Sequence, residues 1–128
     1  MSICGLGSDI VSVSRMQDIL ERHGERFLRR CFRPAEIAYI QSRRPGQPQA
    51  ASAAARWAAK EAFLKALGTS VAHIPYLDVE VRRDAAGPVS LRLHGLAEAA
   101  FAAHPGRRCF LSLSHEKEHA LAVVLLDS

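Results

Sequence analysis

Residues 56–68 read RWAAKEAFLKALG and carry the strongest helical pattern in the chain. At 100° per residue, a narrow apolar stripe suited to a hydrophobic core is formed by Ala59, Phe63 and Ala66. The pattern stops at Gly68, the residue type that most often ends a helix. We therefore predict a long helix over residues 51–67.

Glu61 and Lys65 lie on the other side of this helix, one turn apart. Ala54 and Ala58 stack beside them, and side chains this small leave room for something to approach the helix. On this helix alone, the simpler interpretation is a surface salt bridge between Glu61 and Lys65, worth about 0.3–0.5 kcal/mol. The functional interpretation is a fixed charge pair at an accessible face, and it depends on the rest of the chain.

The chain has 128 residues, of which 48% are hydrophobic, and this predicts one compact domain over 1–128. Because an enzyme this small often completes its site at a subunit interface, we expect an oligomer. The formal net charge of +4 favours an anionic partner. Nucleic acid, an anionic membrane surface, a phosphorylated cofactor and an acidic protein all meet that description.

Three widely spaced cysteines, Cys4, Cys31 and Cys109, form no CxxC pair. This pattern argues against a disulfide framework or a zinc site and suits a reducing compartment. No run reaches the roughly 18 apolar residues of a membrane span, and the first residues lack the pattern of a signal peptide. We expect a soluble, cytoplasmic protein.

The remaining pattern predicts an α+β fold with a mainly antiparallel sheet and one long helix packed on it. Gly5 and Gly7 weaken the first strand or let another backbone come close to it. A capping box at Ser14 and Gln17 predicts a helix start at Arg15. Strands are predicted over 3–13, 77–83, 89–94, 108–115 and 119–126, with a hairpin turn at 84–87. Shorter helices are predicted over 15–23, 25–30, 34–43 and 95–104.

Asp9 and Glu61 are the first candidates for chemistry. Asp9 is a charge inside an apolar strand, where a strand-end or capping role is the simpler interpretation. A second carboxylate on a separate element makes a divalent-metal pair a reasonable hypothesis, since Mg²⁺ typically takes one or two protein carboxylates and completes its shell with water and phosphate.

His115 ends a predicted strand in the segment LSLSH, where Ser112 and Ser114 share one face. A serine–histidine nucleophile pair is conceivable, but the sequence supplies neither an oxyanion hole nor a nucleophile elbow. A histidine in this position is more often structural or a donor to phosphate.

An arginine series approximates one helical face near the start of the chain. Its members are Arg15, Arg22, Arg26, Arg29 and Arg33. A solvated surface is the usual explanation of such a series. Arginine is preferred, however, where carboxylates or phosphates are held by two hydrogen bonds, so the series also suits a docking surface for an acidic protein.

Three segments together resemble the holo-(acyl-carrier-protein) synthases, the short 4′-phosphopantetheinyl transferases of fatty acid synthesis. They are GLGSDIV at 5–11, RWAAKEAFLKALGT at 56–69 and LSLSH at 111–115. The likeness implies the phosphopantetheinyl transferase fold and a Mg²⁺-dependent transfer. The phosphopantetheine arm of coenzyme A would pass to a serine of apo acyl carrier protein, releasing adenosine 3′,5′-bisphosphate. It also implies a homotrimer with sites between subunits.

Residue by residue, the resemblance implies that Asp9 and Glu61 bind magnesium. It also implies that Lys65 and His115 lie near the phosphates of coenzyme A. Further contacts with coenzyme A are expected at Arg56, Lys60, Gly68 and Ser112, and contacts with the acidic carrier protein at Arg15, Arg22 and Arg26. Asp9, Glu61 and Lys65 would then be the centre of catalysis. The attacking serine hydroxyl also needs a base, for which Glu116 and Asp9 are both candidates.

Two other functions fit parts of the sequence. A basic module that binds nucleic acid would explain the charge, but only Phe32 and Tyr39 lie near the arginine series as stacking platforms. A coenzyme A-dependent acyltransferase would favour a glycine-rich pyrophosphate loop ahead of a helix, which the sequence lacks. We therefore expect neither nucleic acid nor a membrane as the partner.

Overall fold

A computed structural model describes residues 2–85 and 87–128. Strand β1 (Ile3–Ser12) leads into helix α1 (Val13–Cys31), followed by α2 (Pro34–Gln41) and the long α3 (Gln47–Leu67). A 3₁₀ turn (Tyr76–Asp78) precedes a hairpin of β2 (Val79–Arg83) and β3 (Val89–Leu93). Helix α4 (Gly95–Ala103) and the strands β4 (Arg108–His115) and β5 (His119–Asp127) complete the order.

The strands form two antiparallel sheets, one with the order β1-β5-β4 and one with β2-β3. Helix α3 packs on one face of the larger sheet, and the core between them contains Phe63, Val124 and Leu126. The predicted α+β class, with antiparallel strands and one long helix on the sheet, is confirmed.

Strand β1 lies unusually close to α3 because it has glycine where the two backbones meet. A Cβ atom on Gly7 would lie 2.0 Å from the carbonyl oxygen of Ala62, and one on Gly5 would lie 2.5 Å from that of Ala66. Neither distance leaves room for a methyl group. The close approach expected from these two glycines is confirmed.

The open space expected beside Ala54 and Ala58 is absent, because both residues are fully buried. Ala54 belongs to a core cluster with Val13 and Met16 of α1, so the chain itself fills the space that small side chains leave. The expected salt bridge between Glu61 and Lys65 does not form either. Lys65 instead pairs with Asp9 of β1.

The cap predicted for α1 is wrong by two residues. Ser12, not Ser14, is the N-cap, and its hydroxyl accepts the N–H of Arg15 at 3.3 Å. Extended geometry at Ser12 lets β1 pass directly into the helix at Val13. The predicted break at Gly24 is confirmed, since that residue has φ 52° and ψ −128° inside α1.

Helix α3 begins one turn earlier than predicted, at Gln47. Proline is tolerated in the first turn of a helix, where its missing N–H has no intrahelical partner, so Pro48 does not delay the start. Gly68 ends the helix in the left-handed region with φ 81°, as predicted. The β2–β3 hairpin also forms as predicted, although Ala86 in its turn lies outside the described residues.

A buried ion pair connects α2 and α3. Lys60 and Glu36 are each almost fully buried, and their Nζ and Oε1 atoms lie 3.0 Å apart. The ammonium also donates to the carbonyl oxygens of Tyr76 and Val79, and the carboxylate accepts the N–H groups of Arg33 and Val81. Burial lowers the pKa of Lys60, and the neighbouring Glu36 partly opposes that change. This pair fixes the start of β2 and the 3₁₀ turn against α3.

Among residues 2–85 and 87–128, no helix combines the length and the apolar character needed to cross a membrane.

Replacing Gly7 by alanine should lower the free energy of unfolding by about 3 kcal/mol, the upper end of the usual cost of overpacking, because the new methyl group would overlap the Ala62 carbonyl. Urea denaturation followed by circular dichroism measures this loss. Gly68→Ala is the matched control, since no atom lies within 4 Å of a Cβ there and only its left-handed backbone would be strained, at about 1–2 kcal/mol. A Gly7→Ala loss no larger than that of the control would contradict the close-packing argument.

Candidate active site

Asp9 and Glu61 line the same cleft, which has a volume of about 210 Å³. Arg15 and Trp57 also line it. Asp9 lies on the same side of β1 as Gly5 and Gly7, so the glycine contact with α3 brings its carboxylate to the helix. Two carboxylates 52 positions apart in sequence are thus brought to one cleft.

Lys65 holds Asp9 from the next turn of α3. Its ammonium lies 3.0 Å from Oδ1 of Asp9 and donates to the carbonyl oxygen of Ser8 at 3.1 Å. The Asp9 side chain is 18% exposed and that of Lys65 is 51% exposed, so the pair contributes at most about 1 kcal/mol to stability. The ion pair therefore matters for position, because it holds the ammonium group of Lys65 beside the cleft.

Glu61 is held by a residue that the sequence analysis did not identify. The hydroxyl of Tyr76 donates a hydrogen bond to Oε1 of Glu61. Burial, together with this hydrogen bond, raises the pKa of Tyr76 to about 12, so the hydroxyl keeps its proton at neutral pH. A lone tyrosine after a proline gives no signal in the sequence for such a role.

The remaining carboxylate oxygens fit a divalent cation. Within the described part of the chain, Oδ2 of Asp9 and Oε2 of Glu61 accept no hydrogen bond. Hard cations such as Mg²⁺ are bound by oxygen ligands of this kind, and Mg²⁺ needs only one or two of them from the protein.

A second and larger cavity, of about 650 Å³, contains His115, Glu116 and Arg56. Its size is typical of small-molecule sites. Sequence analysis missed three further basic residues in its lining, namely Arg43, Arg83 and Lys117. Several fixed positive charges around one cavity favour an anionic ligand.

Arg56 is 5% exposed yet lines this cavity. Its guanidinium carbon lies 3.9 Å from the ring centroid of Tyr39, and Nη1 donates to the Ser52 hydroxyl at 3.2 Å. Burial lowers the pKa of Arg56, although a guanidinium remains charged at neutral pH. Its buried Nε has no hydrogen-bond partner among the described residues. An unsatisfied buried donor of this kind costs about 1–3 kcal/mol.

Comparison with known proteins identifies the family. A model of the 4′-phosphopantetheinyl transferase superfamily matches residues 5–124. The holo-(acyl-carrier-protein) synthase of Halorhodospira halophila is 46% identical over 125 residues, covering 97% of both chains. The chain belongs to the 4′-phosphopantetheinyl transferase superfamily, among the holo-(acyl-carrier-protein) synthases.

Solved structures of other holo-(acyl-carrier-protein) synthases agree with this assignment. The Bacillus anthracis synthase, solved in complex with coenzyme A (3′,5′-ADP), has a TM-score of 0.80 at 32% identity, covering 98% of this chain and 97% of its own. The Helicobacter pylori synthase, solved in complex with coenzyme A, has a TM-score of 0.81 at 26% identity, covering 95% and 99%. The family's activity, transfer of phosphopantetheine from coenzyme A to acyl carrier protein, is the activity of this chain. The two other functions considered from the sequence, nucleic-acid binding and coenzyme A-dependent acyl transfer, are therefore not needed to explain it.

Lys60 is not in the synthase site, which corrects the expectation that it contacts coenzyme A. It is fully buried, and its three donors are directed at Glu36 and two backbone carbonyls. Lys60 lies one position from Glu61 on α3, so it points about 100° away from the cleft and into the core.

Ser112 and Gly68 line neither cavity of this transferase. Ser112 lies on the exposed face of β4, opposite the face that packs on α3. Gly68 forms the C-cap of α3. Both residues are exposed, so a coenzyme A contact at each stays a prediction.

The arginines expected to meet the carrier protein lie on α1, where Arg15, Arg22 and Arg26 are exposed. They do not form one continuous helical face, because the backbone turns at Gly24. Arg33 is not part of this surface. It forms the N-cap of α2 and donates to the carbonyl oxygen of Leu77.

No described residue lines both cavities. Within one synthase chain, Asp9, Glu61 and Arg15 therefore line a different cavity from His115, Arg56 and Glu116. A third cavity adjoins both, since it shares Ser12 with the small one and Gln47 and Lys117 with the large one. The two candidate bases are likewise divided, since Asp9 lies in the small cleft and Glu116 in the large one.

Proposed function

We propose that this chain transfers 4′-phosphopantetheine in a Mg²⁺-dependent reaction centred on Asp9 and Glu61. The observation that carries the proposal is the shared cleft, in which each carboxylate keeps one oxygen without a hydrogen-bond partner among the described residues. Bound there, Mg²⁺ would neutralise charge on the phosphate oxygens of coenzyme A. Lys65 would add a second positive charge beside it.

The reaction joins the serine oxygen of the carrier protein to the phosphorus that carries pantetheine. The pyrophosphate bond breaks, adenosine 3′,5′-bisphosphate leaves, and the serine proton passes to a base. Lys65 suits the stabilising role because an ammonium has three donors, and the described residues use two of them. Asp9 and Glu116 stay the two candidates for that base: Asp9 lies in the cleft with Glu61, but Lys65 holds its Oδ1 and Mg²⁺ would take its Oδ2. Glu116 would reach the same serine only from a neighbouring subunit.

The large cavity is proposed to hold phosphate groups of coenzyme A. Arg56 supports this assignment because it lines the cavity and its guanidinium is already oriented by Tyr39 and Ser52. His115 and Lys117 line the same cavity and supply further donors. Arginine is well suited to this task because its fork-shaped guanidinium matches phosphate oxygens.

The outer face of the three-stranded sheet is proposed to join three copies of the chain. One row across the sheet consists of Leu6, Leu125 and Phe110, and another contains Ile10 and Leu121. Leu6 is 65% exposed and Phe110 is 50% exposed. A contiguous apolar face of this kind is typical of a protein interface. Ser112 lies between these rows, which gives it a place at the proposed contact.

A homotrimer would also explain why the two cavities are separate in one chain. A closed assembly can bring the Asp9 cleft of one protomer to the His115 cavity of the next. We propose that the complete coenzyme A site forms in this way, with the small cleft supplying the metal ligands and the large cavity supplying phosphate contacts.

The carrier protein is proposed to dock on α1 beside the Asp9 cleft. Arg15 supports this location because it is exposed and also lines the cleft. The exposed surface of α1 carries more basic than acidic residues: Arg15, Arg22, Arg26, Arg29 and Arg30 against Asp18, Glu21 and Glu25. An acidic carrier would be steered to such a surface.

Residues 1–128 are proposed to form one catalytic domain that acts in the cytoplasm. A single family match over residues 5–124 supports the first point. Three free cysteines support the second, because thiols persist in a reducing compartment. The modified carrier would serve fatty acid synthesis.

Incubation of apo acyl carrier protein with this chain, coenzyme A and Mg²⁺ should add about 340 Da to the carrier, as intact-mass spectrometry measures it. EDTA and Glu61→Gln should each reduce the rate by at least about 100-fold, because the amide keeps the shape but loses the charge that holds the cation. Glu98→Gln, an exposed carboxylate on α4, is the matched control and should keep full activity. Transfer that persists in EDTA would refute the metal proposal while leaving the transferase activity established.

Replacing Leu6 or Phe110 by aspartate should convert the trimer to monomers, since each change puts a charge into the proposed apolar contact. Light scattering coupled to size-exclusion chromatography gives the mass directly. Activity should fall with the trimer fraction if the site lies between protomers. Leu96→Asp, at an equally accessible leucine on α4 (57% exposed), should leave the mass unchanged. A wild-type chain that is monomeric would contradict the proposal.

Arg22→Glu should reduce kcat/KM for the carrier protein by roughly tenfold at low salt, because it reverses a charge on the docking surface. The KM for coenzyme A should not change. The defect should shrink as salt approaches about 1 M, where charges are screened within about 3 Å. Arg107→Glu makes the same charge change beside β4 and serves as the control. Equal losses in both variants would indicate a net-charge effect rather than docking on α1.

A further inference from the structure

Tyr76 is the residue at this site whose role the proposed mechanism leaves open. Its hydroxyl donates to Oε1 of Glu61, one of the two proposed metal ligands. Its ring meets the edge of Trp57 with centroids 6.0 Å apart and planes at 90°, and Trp57 lines the cleft. Tyr76 therefore contacts two residues that line the cleft, the carboxylate of Glu61 and the ring of Trp57.

The backbone around Tyr76 is anchored independently of Glu61. Lys60 of α3 donates to the Tyr76 carbonyl oxygen at 3.1 Å, and Arg33 donates to that of the next residue, Leu77, at 2.6 Å. Lys60 is itself held by the buried Glu36. The main chain of the 3₁₀ turn that carries Tyr76 is thus fixed by hydrogen bonds, and this holds the Tyr76 hydroxyl in place beside Glu61.

Glu61 on its own would be a poorly defined ligand. A glutamate side chain has three rotatable bonds, and fixing them when a cation binds costs conformational entropy. A hydrogen bond that already orders the side chain reduces this cost. Because Tyr76 donates to Oε1, that oxygen has less electron density to share with a cation, and Oε2 is the preferred ligand atom. The carboxylate is then a one-oxygen ligand, which suits Mg²⁺ with its octahedral shell of waters. Ca²⁺ often takes both oxygens of a carboxylate and needs more ligands.

We propose that Tyr76 is a positioning residue that orders Glu61 and restricts it to one-oxygen coordination, so that the cleft favours Mg²⁺ over Ca²⁺. The inference rests on the proposed metal site. It goes beyond that site because it assigns the ligand's orientation and its cation preference to a hydroxyl on a different element.

The test measures cation binding without turnover. Trp57 is the single tryptophan of the chain and lines the cleft, so bound Mn²⁺ should quench its fluorescence. The full chain with saturating coenzyme A and no carrier protein is titrated with Mn²⁺. Mg²⁺ and Ca²⁺ are then added separately to displace it. Tyr76→Phe keeps the ring contact with Trp57 and removes only the hydroxyl.

In Tyr76→Phe, the Mg²⁺ affinity should fall roughly tenfold, a size typical for loss of a hydrogen bond to a metal ligand. The Ca²⁺ affinity should fall less, so the preference for Mg²⁺ narrows. Ser90→Ala is the control, since it removes an exposed hydroxyl on β3 that lines neither cavity and should leave both cation affinities unchanged. Thermal unfolding of each variant verifies that the fold is intact.

The other outcomes separate the two proposals. Unchanged Mg²⁺ affinity in Tyr76→Phe would overturn the role of Tyr76 while leaving the metal site in place. Equal losses for Mg²⁺ and Ca²⁺ would show that Tyr76 supports the cleft without selecting the cation, and this too overturns the inference. A wild-type chain that shows no saturable Mn²⁺ quenching would overturn the metal site, and the role of Tyr76 with it.

Discussion

The contact between β1 and α3 depends on the absence of two side chains. At Gly5 and Gly7 the strand lies against the carbonyl oxygens of Ala66 and Ala62, closer than any Cβ atom allows. This spacing brings Asp9 to Lys65, and with it to the cleft that Glu61 lines. A strand displaced outward by one methyl group would separate the carboxylates, so the geometry of the site follows from backbone packing rather than from the charged residues.

The Glu61 side of the cleft depends on a different interaction, the buried ion pair between Lys60 and Glu36. Lys60 and Glu36 are buried as a pair, and their remaining hydrogen bonds go to backbone atoms of the segment that carries Tyr76. Removing one partner from such a pair leaves an uncompensated buried charge and costs about 3–5 kcal/mol. The two carboxylates are therefore held by different means: Asp9 by a close backbone contact and an exposed ion pair, Glu61 through a tyrosine fixed on a buried ion pair.

The sequence predicts the elements well because their signals are local. Periodicity, Gly24, Pro34 and Gly68 mark most helix boundaries, and the alternation after residue 77 marks the hairpin. The cap wrongly predicted at Ser14 shows the limit of such signals. Ser12 and Ser14 have the same side chain, and Ser12 is the N-cap because strand β1 ends there in extended geometry. The pairing of Lys65 with Asp9 rather than Glu61 depends on a contact across 56 positions, which no local pattern reveals.

Motif position was a weaker guide to the site. It drew Lys60 into the coenzyme A site, although the structure buries that side chain in an ion pair. Contacts of Gly68 and Ser112 with coenzyme A stay predictions, at a helix cap and on an exposed sheet face. It missed Tyr76, Arg43, Arg83 and Lys117, because each comes from an element whose approach to the site is set by the tertiary fold. A sequence shows which residues have reactive or charged side chains, but it does not show which of those side chains are accessible to a ligand.

The alanines of α3 have a consequence for how a motif of this kind is interpreted. Ala54, Ala58, Ala59 and Ala62 are fully buried, and the helix is enclosed by β1, β5 and α1 along most of its length. These positions are small because neighbouring backbones leave no room, whether or not a reaction takes place nearby. A descendant that lost Glu61 and Lys65 would still retain most of the pattern, and a search would still recognise it. Such a match reports how the chain packs and does not test the proposed roles of Glu61 and Lys65.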